Sequence, residues 1–105
     1  MFVKLSAAGS LTLEDRDNFR AFKLVVEGGP QRLDAVRRAL SGTAELPDQA
    51  TAWIYEQALR QRPETANDAA WQANLGTMIE KARPHGWIDD QKKAIKAHVE
   101  WTEKP

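Results

Sequence analysis

Prolines at positions 30, 47, 63, 84 and 105 divide this chain of 105 residues more firmly than any other feature. Proline lacks a backbone donor and clashes with a continuing helix, so each one bounds a segment. Five of the six glycines fall at similar places: Gly9, Gly28, Gly29, Gly42 and Gly86 lie outside the segment interiors. The pieces left between these breakers have the length of helices rather than of strands. Composition points the same way, because Ala, Leu, Glu, Gln, Lys and Arg abound and Val plus Ile number only nine. The expectation is a mainly α protein, a single small helical domain of four or five helices spanning residues 1–105. An extended N-terminal segment over 1–11, with one short strand at Phe2–Leu5, precedes the helices, and residues 102–105 form a frayed tail.

Thr12 ahead of Leu13, Glu14 and Asp15 resembles a capping box, and Phe19, Phe22, Val25 and Val26 then share one helical face. A rival pattern runs through the same stretch: Phe22, Leu24 and Val26 alternate, so residues 21–27 also fit a strand pairing with Phe2–Leu5. Pro30 suits the first turn of a second helix, lined by Leu33, Val36 and Leu40 and stopped at Gly42. Asp48 caps a third helix running to about Arg62, with Ile54, Tyr55, Ala58 and Leu59 inward. Asn67 or Thr65 caps a fourth, whose Trp71, Leu75, Met78, Ile79 and Ala82 form the cleanest apolar stripe. The fifth begins near Asp89, with Ile88, Ile95, Val99 and Trp101 apolar and Lys92, Lys93, Lys96, Glu100 and Glu103 wet.

Charge excludes several functions. The 15 Lys and Arg against 15 Asp and Glu give no formal net charge. Counted by segment, the two signs balance within one charge everywhere, so no basic half is hidden by an acidic half. Nucleic acid and anionic membrane surfaces are therefore not the expected partners. With no cysteine there is no disulfide, no thiol nucleophile and no thiolate metal site. The longest uncharged run, residues 69–79, covers 11 residues, against the roughly 20 that a spanning helix needs. The N-terminus lacks the pattern of a secretion signal, so a soluble cytoplasmic protein is expected.

Few residues offer chemistry. His98 falls on the apolar side of the last expected helix, between Ile95 and Trp101, where it reads first as a partly buried side chain hydrogen-bonded to a neighbour and, alternatively, as a titrating group in a pocket. His85 reads as an exposed turn residue. His85, Asp89 and Asp90 are close in sequence, but carboxylates that open a helix are explained by capping, and no metal or cofactor is expected. Asp15, Arg16, Asp17 and Asn18 superficially suggest a calcium loop that fails at Phe19 and Arg20. Of the four tryptophans, Trp71 and Trp101 read as core and Trp87 as a staple at a helix entry. Trp53 shares a polar helical side with Glu56, Gln57 and Arg60, where it is either covered by the N-terminal segment or open to a partner.

The first functional reading is a non-catalytic protein-interaction or accessory module, with Trp53, Glu56 and Arg60 as contact residues. Self-association through Phe2–Leu5, as a strand paired with its copy, is one route to a homodimer. The alternative is a small-molecule-binding or catalytic domain with a pocket near His98 and Trp101. A helix-turn-helix over 48–62 and 67–83 comes third, weakened by Asp68 in the reading position and by the absence of Lys or Arg before Lys81.

Overall fold

The run Ala94–Trp101 alternates apolar and polar side chains: Ile95, Ala97 and Val99 are buried, while Lys96, His98 and Glu100 face water. A period of two is the signature of a strand with one wet face. In the computed structural model, which describes residues 1–103, this run is an eight-residue strand inside a seven-stranded mixed sheet. The strands are β1 (Phe2–Leu5), β2 (Leu11–Glu14), β3 (Lys23–Val26), β4 (Ala44–Glu45), β5 (Thr51–Tyr55), β6 (Ile88–Asp89) and β7 (Ala94–Trp101). Three helices accompany them: α1 (Leu33–Ala39), α2 (Glu56–Arg60) and α3 (Ala69–Ala82). The sheet curls into a half-barrel in the order β2-β1-β3-β7-β5-β4, with β6 also on β7. The β1–β3 and β3–β7 pairs are parallel and the others antiparallel.

The mainly α expectation, and with it the helical bundle, is therefore wrong, and each displaced helix has a physical reason. Asp48 does accept backbone bonds, but from Ala50 and Thr51 at 2.8 and 2.9 Å, closing a turn that launches β5. β5 itself is Thr-Ala-Trp-Ile-Tyr, rich in β-branched and aromatic side chains, and it pairs with β7 along its length. Only Glu56–Arg60 of the expected third helix is helical. The expected fifth helix is the β6–β7 hairpin, and Thr12 lies inside β2 instead of capping a helix. Over 21–27 the strand pattern describes the chain, as β3 beside β1. Without a helix over 48–62, the helix-turn-helix arrangement is also absent.

Two expected helices are present. α1 follows a short 3-10 turn that opens at Pro30, with Val36 buried. α3 buries Trp71, Leu75, Ile79 and Ala82, and its cap is Asp68 rather than Asn67 or Thr65, accepting from the Trp71 amide at 3.0 Å. Trp71, Leu75 and Ile79 join Leu24, Val26, Ile54, Ile95 and Val99 in one core on the inner side of the sheet. Each such side chain contributes about 1.5–3 kcal/mol by leaving water. Trp71 keeps its one polar atom satisfied, donating from Nε1 to the Arg16 carbonyl at 2.8 Å.

The ends and edges are tied down. Segment 1–11 is not simply extended: β1 turns at Ser6–Ser10 and returns as β2. Met1 is buried, and its ammonium donates to the carbonyls of Asn18 and Ala21 at 2.9 and 3.0 Å. At the other end, expected to fray, Thr102 bonds the Val26 carbonyl and accepts from the Gly28 amide, and Glu103 bonds the Gly28 carbonyl. Residues 104 and 105 lie outside the described part. β1 has neighbours on both sides, β2 and β3, so Phe2–Leu5 has no free edge for a copy of itself. The outer edge of β2 is closed by the loop after α2: the Leu13 amide donates to Glu64 at 2.9 Å, and Arg62 donates to the Leu11 carbonyl at 2.8 Å.

Candidate functional site

β7 has three partners but only two edges. Ile95 pairs with Ile54 of β5 and also with Ile88 of β6, so β5 and β6 lie on opposite edges. His98 pairs with Thr51 of β5 and with Lys23 of β3, so β3 also lies opposite β5. β6 and β3 thus share one edge of β7 and diverge around residues 96 and 97. Where two strands part from a common neighbour the sheet opens a crevice, the kind of place where ligands settle in open sheets.

A groove of about 440 Å³ occupies this fork. β7 borders it with residues of both its faces, buried Ile95 and Ala97 and water-facing Lys96 and His98. The approach to β3 supplies one wall with Phe19, Arg20, Ala21 and Phe22; the approach to β6 supplies another with His85 and Trp87. The last turns of α3 add Met78, Lys81 and Ala82, and Ala50 and Thr51 close the end beside His98. Gly86 makes the second wall possible: its φ of +76° lets the chain turn sharply between His85 and Trp87, a conformation strained for any residue with a Cβ. The His85 and Trp87 rings stack at 4.4 Å with 18° between their planes. The Trp87 backbone is pinned, accepting from the Lys96 amide at 2.8 Å and donating to the Ala82 carbonyl. Its indole nonetheless remains 47% exposed, the one large hydrophobic side chain so open among the described residues.

The electrostatics of the groove are one-sided. Its lining includes Arg20, Lys81 and Lys96 but no Asp or Glu. Among the described residues, none of these three side chains has a hydrogen-bonded or ion-paired partner within the protein, and neither do His85 and His98. Several cations elsewhere are taken up: Lys23 pairs with Glu100 at 3.1 Å, Lys92 with Glu45 at 2.7 Å, and Arg83 with both Glu80 and Asp90, while Arg38 and Lys93 stand exposed and Lys4 half-buried. The Lys92 ammonium and the Tyr55 hydroxyl beside it hold the Glu45 carboxyl below its ordinary range.

The residues singled out from the sequence scatter. His98 lines the groove, on a strand rather than a helix; Trp101 does not, and instead donates from Nε1 to the Gln49 carbonyl at 2.8 Å, half-buried at the end of β7. Trp53 is half-buried in β5, flanked by Glu45 on β4 and Lys96 on β7, and outside the groove. Glu56 and Arg60 bond each other at 2.7 Å across one turn of α2 and hold α3 through Gln72, a structural role. His85, Asp89 and Asp90 do not converge, since Asp89 accepts from the Gln91 and Lys92 amides and Asp90 pairs with Arg83. Sequence reasoning missed Phe19, Arg20, Phe22, Lys81, Trp87 and Lys96 as site residues, because only the fold brings their segments together. One signal was visible for Lys81. No acid stands three or four residues away from it on α3, where Thr77 and Met78 precede and Pro84 and His85 follow.

No known protein family, curated protein or solved structure matches this chain. Nor is any helix among the described residues long and apolar enough to cross a membrane.

Proposed function

We propose that this chain is a non-catalytic binding module that holds a small acidic ligand with an apolar body in the groove at the fork of β7. One observation carries the reading: Arg20, Lys81 and Lys96, from three separate parts of the chain, line a concave surface that holds no Asp or Glu and also includes Phe19, Phe22 and Trp87. Gathering like charges is unfavourable for the free protein, so a complementary anion is the natural completion of the site. Apolar walls exclude water and strengthen each charge contact relative to an open surface. Binding is favoured over acid–base catalysis because no carboxylate lines the groove to orient either imidazole.

Amide chemical shifts during titration with 2-naphthoate, a flat carboxylate, test this directly. The expected result is saturable movement confined to residues 19–22, 81–87 and 95–98. Its neutral counterpart, 2-naphthalenemethanol, should bind at least tenfold more weakly. If each charge contact contributes about 0.5–1 kcal/mol, replacing Arg20, Lys81 and Lys96 together by Gln weakens naphthoate by roughly tenfold or more. Shifts elsewhere on the molecule, or equal binding of the neutral compound, sink the reading.

A further inference from the structure

The two ends of the groove differ in chemistry, and we propose that its occupant is an amphiphile of fatty-acid type, one carboxylate head on a flexible, unbranched aliphatic chain. The inference rests on the binding reading above and narrows it to a ligand class.

The ends lie on opposite faces of the sheet. Successive side chains of a strand point to opposite sides, and β7 lines the groove from both. Ile95 and Ala97 are buried on the face that α3 covers, while Lys96 and His98 stand on the wet face. The covered end is apolar: Phe19, Phe22 and Met78, half-buried against the core, join Ile95 and Ala97 in its lining. The wet end is polar, with Lys96, His98 and, across on β5, Thr51. Two acids of that face are already engaged, Glu100 by Lys23 at 3.1 Å and Glu45 by Lys92 at 2.7 Å. The Lys96 ammonium has no bonded partner among the described residues. A carboxylate head therefore belongs at Lys96 and His98 rather than between Arg20 and Lys81, where Asp17 lines the adjoining hollow.

Between the ends, the edge of β7 is narrow and apolar. The Lys96 amide is held by the Trp87 carbonyl at 2.8 Å, and β3 begins opposite His98, so on that edge Ala97 alone stands uncovered. The opening from residue 96 to residue 98 spans about 6–7 Å. In an antiparallel pair the residues that exchange backbone bonds alternate along the strand. Val99 bonds to Ala50 and Glu56 to Lys93, so Ala97 turns its amide and carbonyl to β5 and away from the fork. An aliphatic chain crosses there without stranding a backbone polar group. A peptide strand would find nothing at Ala97 to bond.

A ligand that touches both ends has to bend around the β7 edge. A saturated chain does so by rotation between staggered conformers at its single bonds, whereas a rigid ring system reaches one end only. The volume of about 440 Å³ lies in the range of small-ligand sites.

Calorimetry on the full chain with hexanoate, octanoate and decanoate, below their micelle concentrations, tests the inference, with biphenyl-4-carboxylate and 2-naphthoate run alongside. Each added methylene should tighten binding about three- to fourfold, so that decanoate exceeds hexanoate by roughly a hundredfold. Biphenyl-4-carboxylate, comparably apolar but rigid, should bind about tenfold more weakly than decanoate because it leaves the covered end unfilled. Met78→Trp, which fills that end, should abolish the gain per methylene with an unchanged circular-dichroism spectrum, and Met78→Ala should keep the gain. Lys96→Gln should weaken all three chains by a similar factor and leave the gain per methylene as it was. Affinity that is flat with chain length, a gain that survives Met78→Trp, or biphenyl-4-carboxylate as tight as decanoate overturns the proposal, and the broader reading then stands on 2-naphthoate. If neither the chains nor 2-naphthoate bind, both fall.

Discussion

Arginine does opposite work in two regions of this protein. Around α2, every guanidinium is tied into structure. Arg60 donates to Glu56 and to the Gln72 side chain, each at 2.7 Å, and Gln72 returns a bond to the Arg60 carbonyl at 3.1 Å. Arg62 donates to Glu64 at 3.1 Å and to the Leu11 carbonyl at 2.8 Å, fastening the loop to the edge of β2. In the groove, Arg20 together with Lys81 and Lys96 meets no such partner among the described residues. Where a cation's acid lies within one helical turn or across a loop, the charge fixes geometry. Where neither these nor the sheet, as for Lys23 with Glu100 and Lys92 with Glu45, brings an acid within reach, the charge is left facing outward. A net charge of zero averages over both regions and reveals neither.

The contrast makes graded stability predictions, best followed by urea denaturation at constant pH. The largest effect belongs to tryptophan rather than to charge. Trp71, fully buried in the core, should cost about 3–5 kcal/mol when replaced by Ala. Trp87→Ala, at the groove, should stay within about 0.5 kcal/mol. Equal losses at both positions would erase the distinction between a packed region and a presented one. Next comes Arg62→Ala, which strips the Leu11 carbonyl and Glu64 of a charged donor and should cost about 1.5–3 kcal/mol.

Acid exposes the same clasp. Burial pushes the Glu64 carboxyl up, but bonds from the Arg62 guanidinium, the Leu13 amide and its own backbone outweigh it and hold the group below its ordinary value of 4.5. A carboxyl depressed in the folded state stabilises fully above its unfolded value and loses that contribution as pH falls through the folded one. Stability should therefore decline below about pH 4.5, and Glu64→Gln should flatten that decline while lowering stability at neutral pH. An unchanged acid limb in the variant would remove Glu64 from the clasp. The smallest effect is expected in the groove: Arg20→Ala, Lys81→Ala and Lys96→Ala should each shift stability by no more than about 0.5 kcal/mol. A loss of 1.5 kcal/mol or more at any of them would reveal an internal partner and turn the groove into scaffold.

Some of this was legible in the residues. α3 announced itself through five apolar positions at helical spacing, and α1 through Pro30 and Gly42, because both patterns are local. β7 was legible too and was misread. Ile95 and Val99 stand four apart, as on a helix, yet Ile95, Ala97, Val99 and Trp101 against Lys96, His98 and Glu100 is strict alternation. The helical reading undervalued Ala97, a small residue whose burial between β3 and β5 needs no large side chain. Helix-favouring composition in β7 was overridden by ladders on both of its edges, which no local window contains. His98, read onto the apolar face of a helix, lies instead on the wet face of β7. The other groove residues come from the approach to β3, the end of α3 and the fork itself, so no spacing rule joins them. Segment-by-segment charge balance described the segments correctly and the folded surface poorly, since folding paired some charges and gathered others.

The position of β7 has one more consequence, for the order in which the protein can assemble. It sits between β3 and β5 in the sheet, yet it is the last of the strands in chain order. Until it inserts, β1–β3 form one piece with an open edge and β4–β5 another, and neither can complete the core. Its parallel contact with β3 closes a loop that reaches from Lys23 to Glu100, 77 residues apart. Such distant pairing is slow, because the entropy of closure is lost before the contacts repay it. The half-formed chain therefore carries two exposed strand edges for as long as β7 is missing, and that interval is when it is most exposed to joining another copy of itself.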